Sequence, residues 1–205
     1  MSGVSIARKA ACMLGIGMVG TACLAQRAPA IELAGIDPPS LVHGAQQVSG
    51  KGCPAVRARK PGELAPPWRA VVATISMRCE ALDGPDKAPD ARTETVATLK
   101  PGAAVLRGVP VIALRHSASW AHDDNRYVLA AAYADVAVTL GAYIRARCVS
   151  QAAAAAADVA EDRCTAVQDD SHGGLFVRTS ELGGLWLHPD PDDARRTVLA
   201  EAWSE

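Results

Sequence analysis

The first thirty residues of the chain set the compartment in which the rest folds, and the compartment decides whether its cysteines can be structural. Arg8 and Lys9 are the only charged residues ahead of an apolar stretch at residues 10–25. A basic start, an apolar stretch and a small-residue cleavage sequence, here Ala28-Pro29-Ala30, are typical of a secretory signal peptide. We therefore predict a signal peptide over residues 1–30 and a protein that works in the periplasm or as a secreted product.

Two alternatives arise in the same segment. A membrane-spanning helix is disfavoured, because the apolar run is shorter than the roughly 20 residues that cross a bilayer and contains three glycines. Gly20-Thr21-Ala22-Cys23 resembles a bacterial lipoprotein cleavage box. That resemblance implies lipidation of Cys23, which would anchor the protein to a membrane through its acyl chains alone. Without lipidation, no membrane contact is expected.

The charge of the remaining chain limits its partners. Removal of the signal leaves 18 basic residues against 22 acidic ones, so the mature chain carries a small net negative charge. This balance disfavours nucleic acid, whose phosphates bind basic surfaces. About 175 residues remain, which suits one domain with a proper core.

Four cysteines lie beyond the signal, and they predict a disulfide framework in an oxidising compartment. The spacing favours Cys53 with Cys79 and Cys148 with Cys164, since each pair closes a short loop. The alternative is a zinc site, but the chain has no C-x-x-C or H-x-x-x-H spacing to support one. We therefore expect no structural metal and no cofactor.

The pattern of apolar residues predicts an α+β fold. Residues 31–68 are rich in Pro and Gly and form an irregular arm, which we call the Pro-rich arm, ahead of a single domain at residues 69–205. Alternating apolar and polar residues predict strands at 69–82 and 92–99, joined as a hairpin, and at 109–115. Two short strands follow at 175–178 and 185–187, each preceded by paired glycines.

Helical periodicity is clearest over residues 125–147, where apolar residues recur three and four positions apart. The alanines at 152–157 predict a further helical segment. A Cys148–Cys164 bridge cannot lie along one straight helix, so the pairing predicts a break near Val149 and Ser150. Residues 194–203 favour a helix after Asp190-Pro191, with a closing strand as the alternative.

These elements together predict an antiparallel sheet of about five to six short strands, with one long helix packed across it and the Pro-rich arm in front. The candidate site lies in the segment between the third strand and this helix. It contains His116, Ser117, Ser119, His122 and Asp123, which are the residue types of a hydrolytic site. No G-x-S-x-G sequence surrounds either serine, and neighbours such as His116 and Ser117 point to opposite faces in a strand.

A metal version of this site would join His116, His122 and Asp123 with His188 and Asp190 from a later loop. His43 and His172 are expected to be ordinary loop residues. Because no catalytic constellation is complete, the prediction leans away from an enzyme. It favours a disulfide-stabilised domain that binds a protein partner in the cell envelope, as an inhibitor, an immunity-like protein or an envelope component. The alternative is a small secreted hydrolase that uses the His116–His122 loop.

Overall fold

The computed structural model of the protein describes residues 29–43, 56–82, 90–119, 122–155 and 164–204. The predicted signal peptide lies outside the described residues, apart from its last two positions. Cys23, the predicted lipidation site, and Cys53, the predicted partner of Cys79, also lie outside them.

The Pro-rich arm contains only short elements in its described parts. They are β1 (Ile31–Glu32), β2 (Val42–His43), β3 (Arg57–Ala58), a 3-10 turn (Pro61–Glu63) and α1 (Trp68–Val71). The arm nevertheless contributes to the core, because Leu33, Leu41, Leu64 and Trp68 are buried. The indole Nε1 of Trp68 donates a hydrogen bond to the carbonyl of Asp37, which ties the two ends of the arm together.

The middle of the chain forms long strands. They are β4 (Val72–Leu82), β5 (Asp90–Leu99), β6 (Ala104–Leu106), β7 (Val109–Ser119) and β8 (His122–Leu129). The predicted hairpin of the first two is confirmed, since β4 and β5 pair antiparallel. Between β6 and β7 the two turn residues, Arg107 and Gly108, have φ angles of 51° and 79°. Two consecutive positive φ angles are the mark of a type I′ turn, which suits the twist of a hairpin.

The remainder consists of one helix and four strands. They are α2 (Tyr133–Ala155), β9 (Val167–Asp169), β10 (Gly174–Arg178), β11 (Gly183–Asp190) and β12 (Asp193–Ser204). Among the described residues, ten strands form one mixed sheet, in which β4, β5, β7, β8, β12, β11, β10 and β9 are successive antiparallel neighbours. Strand β6 pairs with the start of β7, and β1 joins β6 in parallel.

One face of the sheet carries the core. Helix α2 packs against β10, β11 and β12 on this face, and we call it the core face. Its buried side chains include Tyr127, Leu129, Leu140, Ile144, Leu185, Leu187 and Leu199. Each leucine buried in this way contributes about 2 kcal/mol to folding. No described helix packs on the opposite face, which we call the second face.

The predicted fold class is wrong. The chain is mostly β, with one ten-stranded sheet in place of five to six short strands and with two α-helices in the described residues. The missing strands are β8 and β12 and the short pieces β1, β6 and β9. Strands β8 and β12 are the ones that join the two halves of the sheet, so their omission changed the architecture.

Two helix predictions fail for identifiable reasons. Residues 125–129 belong to β8, and α2 begins only at Tyr133, because the apolar spacing of the helix continues by chance into the end of the strand. Residues 194–203 form a strand, the alternative to the favoured helix. Thr197, Val198, Leu199 and Ala200 are all buried there, as expected for a central strand covered on both faces.

The predicted pairing of Cys148 with Cys164 is confirmed, with a Cα–Cα distance of 5.6 Å. The predicted helix break near Val149 and Ser150 is wrong, since α2 continues without interruption to Ala155. Cys79 is disulfide-bonded as well. The bridge fastens the C-terminal half of α2 to the chain that enters β9, and both of its cysteines are buried.

We expect the Cys148–Cys164 bridge to be a main source of stability. It closes a segment of 16 residues, and loss of a cross-link of that length costs about 3 kcal/mol through the entropy of the unfolded chain. Replacement of both cysteines with alanine should therefore lower the free energy of unfolding by about this amount in urea titrations. An unchanged free energy under oxidising conditions would contradict this role.

Candidate functional site

The segment that holds the predicted catalytic residues is a β-hairpin and not a connection from strand to helix. Strands β7 and β8 pair so that Ser119 faces His122 and Ser117 faces Asp124. Trp120 and Ala121, between the two strands, lie outside the described residues. The helix that was predicted to follow this segment directly begins eleven residues after His122.

Strand alternation divides the five candidates between the two faces of the sheet. His116 and Asp123 lie on the core face, where their side chains are 3.2 Å apart, from Nε2 to Oδ1. Ser117, Ser119 and His122 lie on the second face. The structure therefore separates His116 from both serines, which could otherwise have been its nucleophiles.

Asp124 is the centre of a polar cluster on the second face. Its side chain is 1% exposed, and its Oδ2 atom accepts hydrogen bonds from His122 Nε2 at 2.8 Å and from Arg126 at 2.5 Å. A buried carboxylate needs such partners, because burial removes it from water. Its other oxygen, Oδ1, has no hydrogen-bond partner among the described residues.

A groove of about 340 Å³ runs along the second face beside this cluster. We call it the second-face groove. Its lining residues come from β8, β11, β12 and the neighbouring turns, and they are His122, Asp124, Arg126, His172, Leu182, Trp186, His188, Pro191, Ala200 and Ala202. Five of the ten lining residues are apolar, and the polar ones lie on either side of β12, on β8 and at His172 and His188.

A glycine makes room for the ring that packs against Trp186 in the wall of this groove. The rings of Phe176 and Trp186 lie side by side, with centroids 4.6 Å apart. Phe176 occupies the space above Gly184, where a Cβ atom would overlap with its ring and lie 2.9 Å from the carbonyl oxygen of Val177. An aromatic ring that covers a glycine in a neighbouring strand replaces the missing side-chain packing.

Two histidines stand together at the opposite end of the groove from His122. The rings of His172, in the turn between β9 and β10, and His188, on β11, have centroids 5.4 Å apart. The Nδ1 atom of His172 bonds to Asp169 Oδ2 at 2.7 Å, and that of His188 donates to the carbonyl of Pro189 at 2.7 Å. Burial lowers the pKa of His188, and the bond to Pro189 opposes this effect.

The predicted five-residue metal set does not come together. His116 and Asp123 lie on the opposite face from His122 and His188. Asp190 is buried, and its carboxylate accepts the backbone N–H of Asp192. Within the described ranges, no three His, Cys, Asp or Glu side chains are grouped closely enough to hold a metal ion.

His172 was missed as a site residue because nothing near it in the sequence points to His188. The two residues meet only because β10 pairs with β11, which places Gly174 directly against His188. A sequence signal did exist in the segment Asp169 to Gly174. Two carboxylates, a serine and a histidine precede two glycines there, a composition typical of a tight polar turn.

Comparisons with protein-family models, with curated proteins and with solved structures found no match for this chain. Neither of the described α-helices is long and apolar enough to cross a membrane. The geometry of the second face is therefore the basis for any functional assignment.

We expect Gly184→Ala to be destabilising, because the added methyl group must displace the Phe176 ring. Overpacking of this kind costs about 1–3 kcal/mol. Gly62→Ala is the matched control, since no atom lies within 4 Å of a Cβ at that position. Urea unfolding should separate the two variants, and equal free energies of unfolding would show that Phe176 adapts without cost.

Asp124→Asn should show how much the buried ionic cluster contributes to the free energy of unfolding. The substitution keeps the shape of the side chain but removes the charge that Arg126 and His122 bind, at an expected cost of about 1.5–3 kcal/mol. Glu94→Gln, in the ion pair with the exposed Arg78, should cost less than about 1 kcal/mol. Thermal or urea unfolding of both variants measures this difference in stability. A Glu94→Gln variant that loses as much stability as Asp124→Asn would contradict the stabilising role of the buried cluster.

Proposed function

We propose that this chain is an exported, disulfide-stabilised domain that acts by binding a protein partner in the cell envelope. The observation that carries the proposal is the second-face groove, a concave site lined by apolar side chains together with charged groups on β8 and a pair of histidines. Pockets of this size that combine apolar walls with a few polar groups are typical of binding sites.

The shape and composition of the groove favour a side chain of the partner as the occupant. Its volume of about 340 Å³ exceeds that of one large apolar side chain, and Trp186 provides a flat aromatic surface for contact. Aromatic and aliphatic anchors that insert into such pockets supply most of the energy of protein interfaces. Charged groups are available around this anchor. Arg126 lines the groove, and Arg115 pairs with Asp192.

The hydrolase alternative is less well supported. It would have to use Ser119 and His122, which face each other across the hairpin, with Asp124 orienting the histidine. No hydrogen bond joins Ser119 to His122 among the described residues. Strand residues also use their backbone N–H groups in the sheet, so these groups are not free to form an oxyanion hole.

Export is supported by the composition of residues 1–30 and by the type of cross-link. A structural disulfide between two buried cysteines is typical of proteins that fold in oxidising compartments. The proposal covers two forms of the protein, one cleaved after residue 30 and one lipidated at Cys23. Both forms would present the domain to partners in the envelope.

The test places a charge in the groove. Leu182, which is 48% exposed, lines the groove, whereas Val138 is 87% exposed on α2 at the other face of the sheet. We expect an envelope protein captured by the wild-type chain to be lost with Leu182→Asp and to be retained with Val138→Asp. With the purified partner, the dissociation constant should rise at least tenfold for the first variant and stay within about twofold for the second.

His116→Ala gives a further control, because His116 lies on the core face and outside the groove. The proposal predicts unchanged binding for this variant. Partner binding that depends on Val138 and not on Leu182 would move the interface to α2. A hydrolytic activity that Ser119→Ala abolishes would instead support the enzyme alternative.

A further inference from the structure

We propose that His172 and His188 form a binding site for a divalent transition metal ion that imidazole ligands favour, with copper(II) or zinc(II) as the chemical class. Both rings line one end of the second-face groove. The site shares this groove with the protein-binding role proposed above, but metal binding does not depend on the presence of a partner.

The hydrogen bonds of the two histidine rings leave the Nε2 atom of each ring available to bind a metal ion. The Nδ1 atom of His188 must carry its proton, because it bonds to a carbonyl oxygen, which can only accept. The Nδ1 atom of His172 lies 2.7 Å from Asp169 Oδ2 and 2.8 Å from Ser171 Oγ. Because the Ser171 hydroxyl donates its own proton to Asp169, both partners accept from Nδ1. In a neutral imidazole the other nitrogen, Nε2, then has a free lone pair, and neither Nε2 atom has a partner among the described residues.

These anchoring bonds also match the surroundings of known metal ligands. A histidine that binds a metal almost always donates its other ring N–H to a carboxylate or a backbone carbonyl, which sets the tautomer and the orientation of the ring. His172 has the carboxylate and His188 has the carbonyl. Ser171 donates to the other oxygen of Asp169, from its hydroxyl at 2.6 Å, and so holds that carboxylate in place.

The separation of the rings fits two ligands on one ion. With zinc–nitrogen distances near 2.05 Å and a tetrahedral angle, two imidazole centroids lie about 5.2 Å apart. The observed separation is 5.4 Å, with ring planes inclined by 40°. Rings at this distance also make an ordinary ring contact, so the spacing is compatible with a shared ion and the free Nε2 atoms carry the assignment.

His122 does not belong to this site, although it lines the same groove. His188 pairs with Val198 on β12, and Val198 pairs with Val128 on β8. His122 precedes Val128 by six residues on β8. Six strand residues span roughly 20 Å. The site therefore has two protein ligands, with water in the remaining positions.

The experiment titrates copper(II) into the oxidised, untagged protein and follows binding by calorimetry and by electron paramagnetic resonance. We expect one saturable ion per chain, with a spectrum of two imidazole nitrogens. His172→Ala should weaken binding at least tenfold. Because His172 is half exposed, this substitution leaves the core intact. His188→Asn should do the same, and zinc(II) should compete for the site.

His122→Ala is the matched control and should change the affinity less than twofold. Binding that persists in the His172 and His188 variants would show an adventitious site and would overturn the proposal. Loss of binding in all three variants alike would overturn the two-histidine assignment. The proposed function is tested separately, because partner binding to the Leu182→Asp and Val138→Asp variants is measured without added metal, and metal binding is measured without the partner. Either proposal can therefore fail while the other stands.

Discussion

The alternation of side chains along β8, β12 and β11 is the constraint on which the rest of the structure depends. Every second residue of these strands points to the face beneath α2, where Leu129, Leu199 and Leu187 form part of the core. The residues between them must then occupy the second face, whatever their chemistry. A slip of one residue would exchange the two sets and bury Arg126 beneath the helix. The core therefore determines where Asp124, Trp186 and His188 stand.

The sequence predicts the parts of this fold that local pattern controls. The β4–β5 hairpin has clean alternation, and the bridge between Cys148 and Cys164 has favourable spacing; both are confirmed. Strand β8 was missed because its first five residues are polar or charged, and its last apolar residues coincide with the period of α2. Strand β12 is buried on both faces, so its apolar run has no period that distinguishes a strand from a helix.

The site was harder to predict for a related reason. The histidines, serines and aspartate of residues 116–123 lie close together in the sequence and were therefore predicted as a site. Within a strand, however, adjacent residues point to opposite faces of the sheet. The groove instead draws its residues from three strands and the adjoining turns. Those contacts depend on which strands pair, and no local pattern contains that information. His188 was noticed only as a distant partner of His116 and His122, and the turn residue His172, its real neighbour, was set aside.

The position of β12 in the sheet has a consequence for how the molecule is made. Among the described residues it follows the other nine strands of this sheet along the chain, but it lies between β8 and β11 and joins the two halves of the sheet. While a ribosome is still adding residues before Asp193, both of those neighbours have open edges, and the core beneath α2 lacks Leu199. The sheet of such a nascent chain cannot close until β12 has been made. The order of the strands therefore couples completion of the core to the synthesis of residues 193–204.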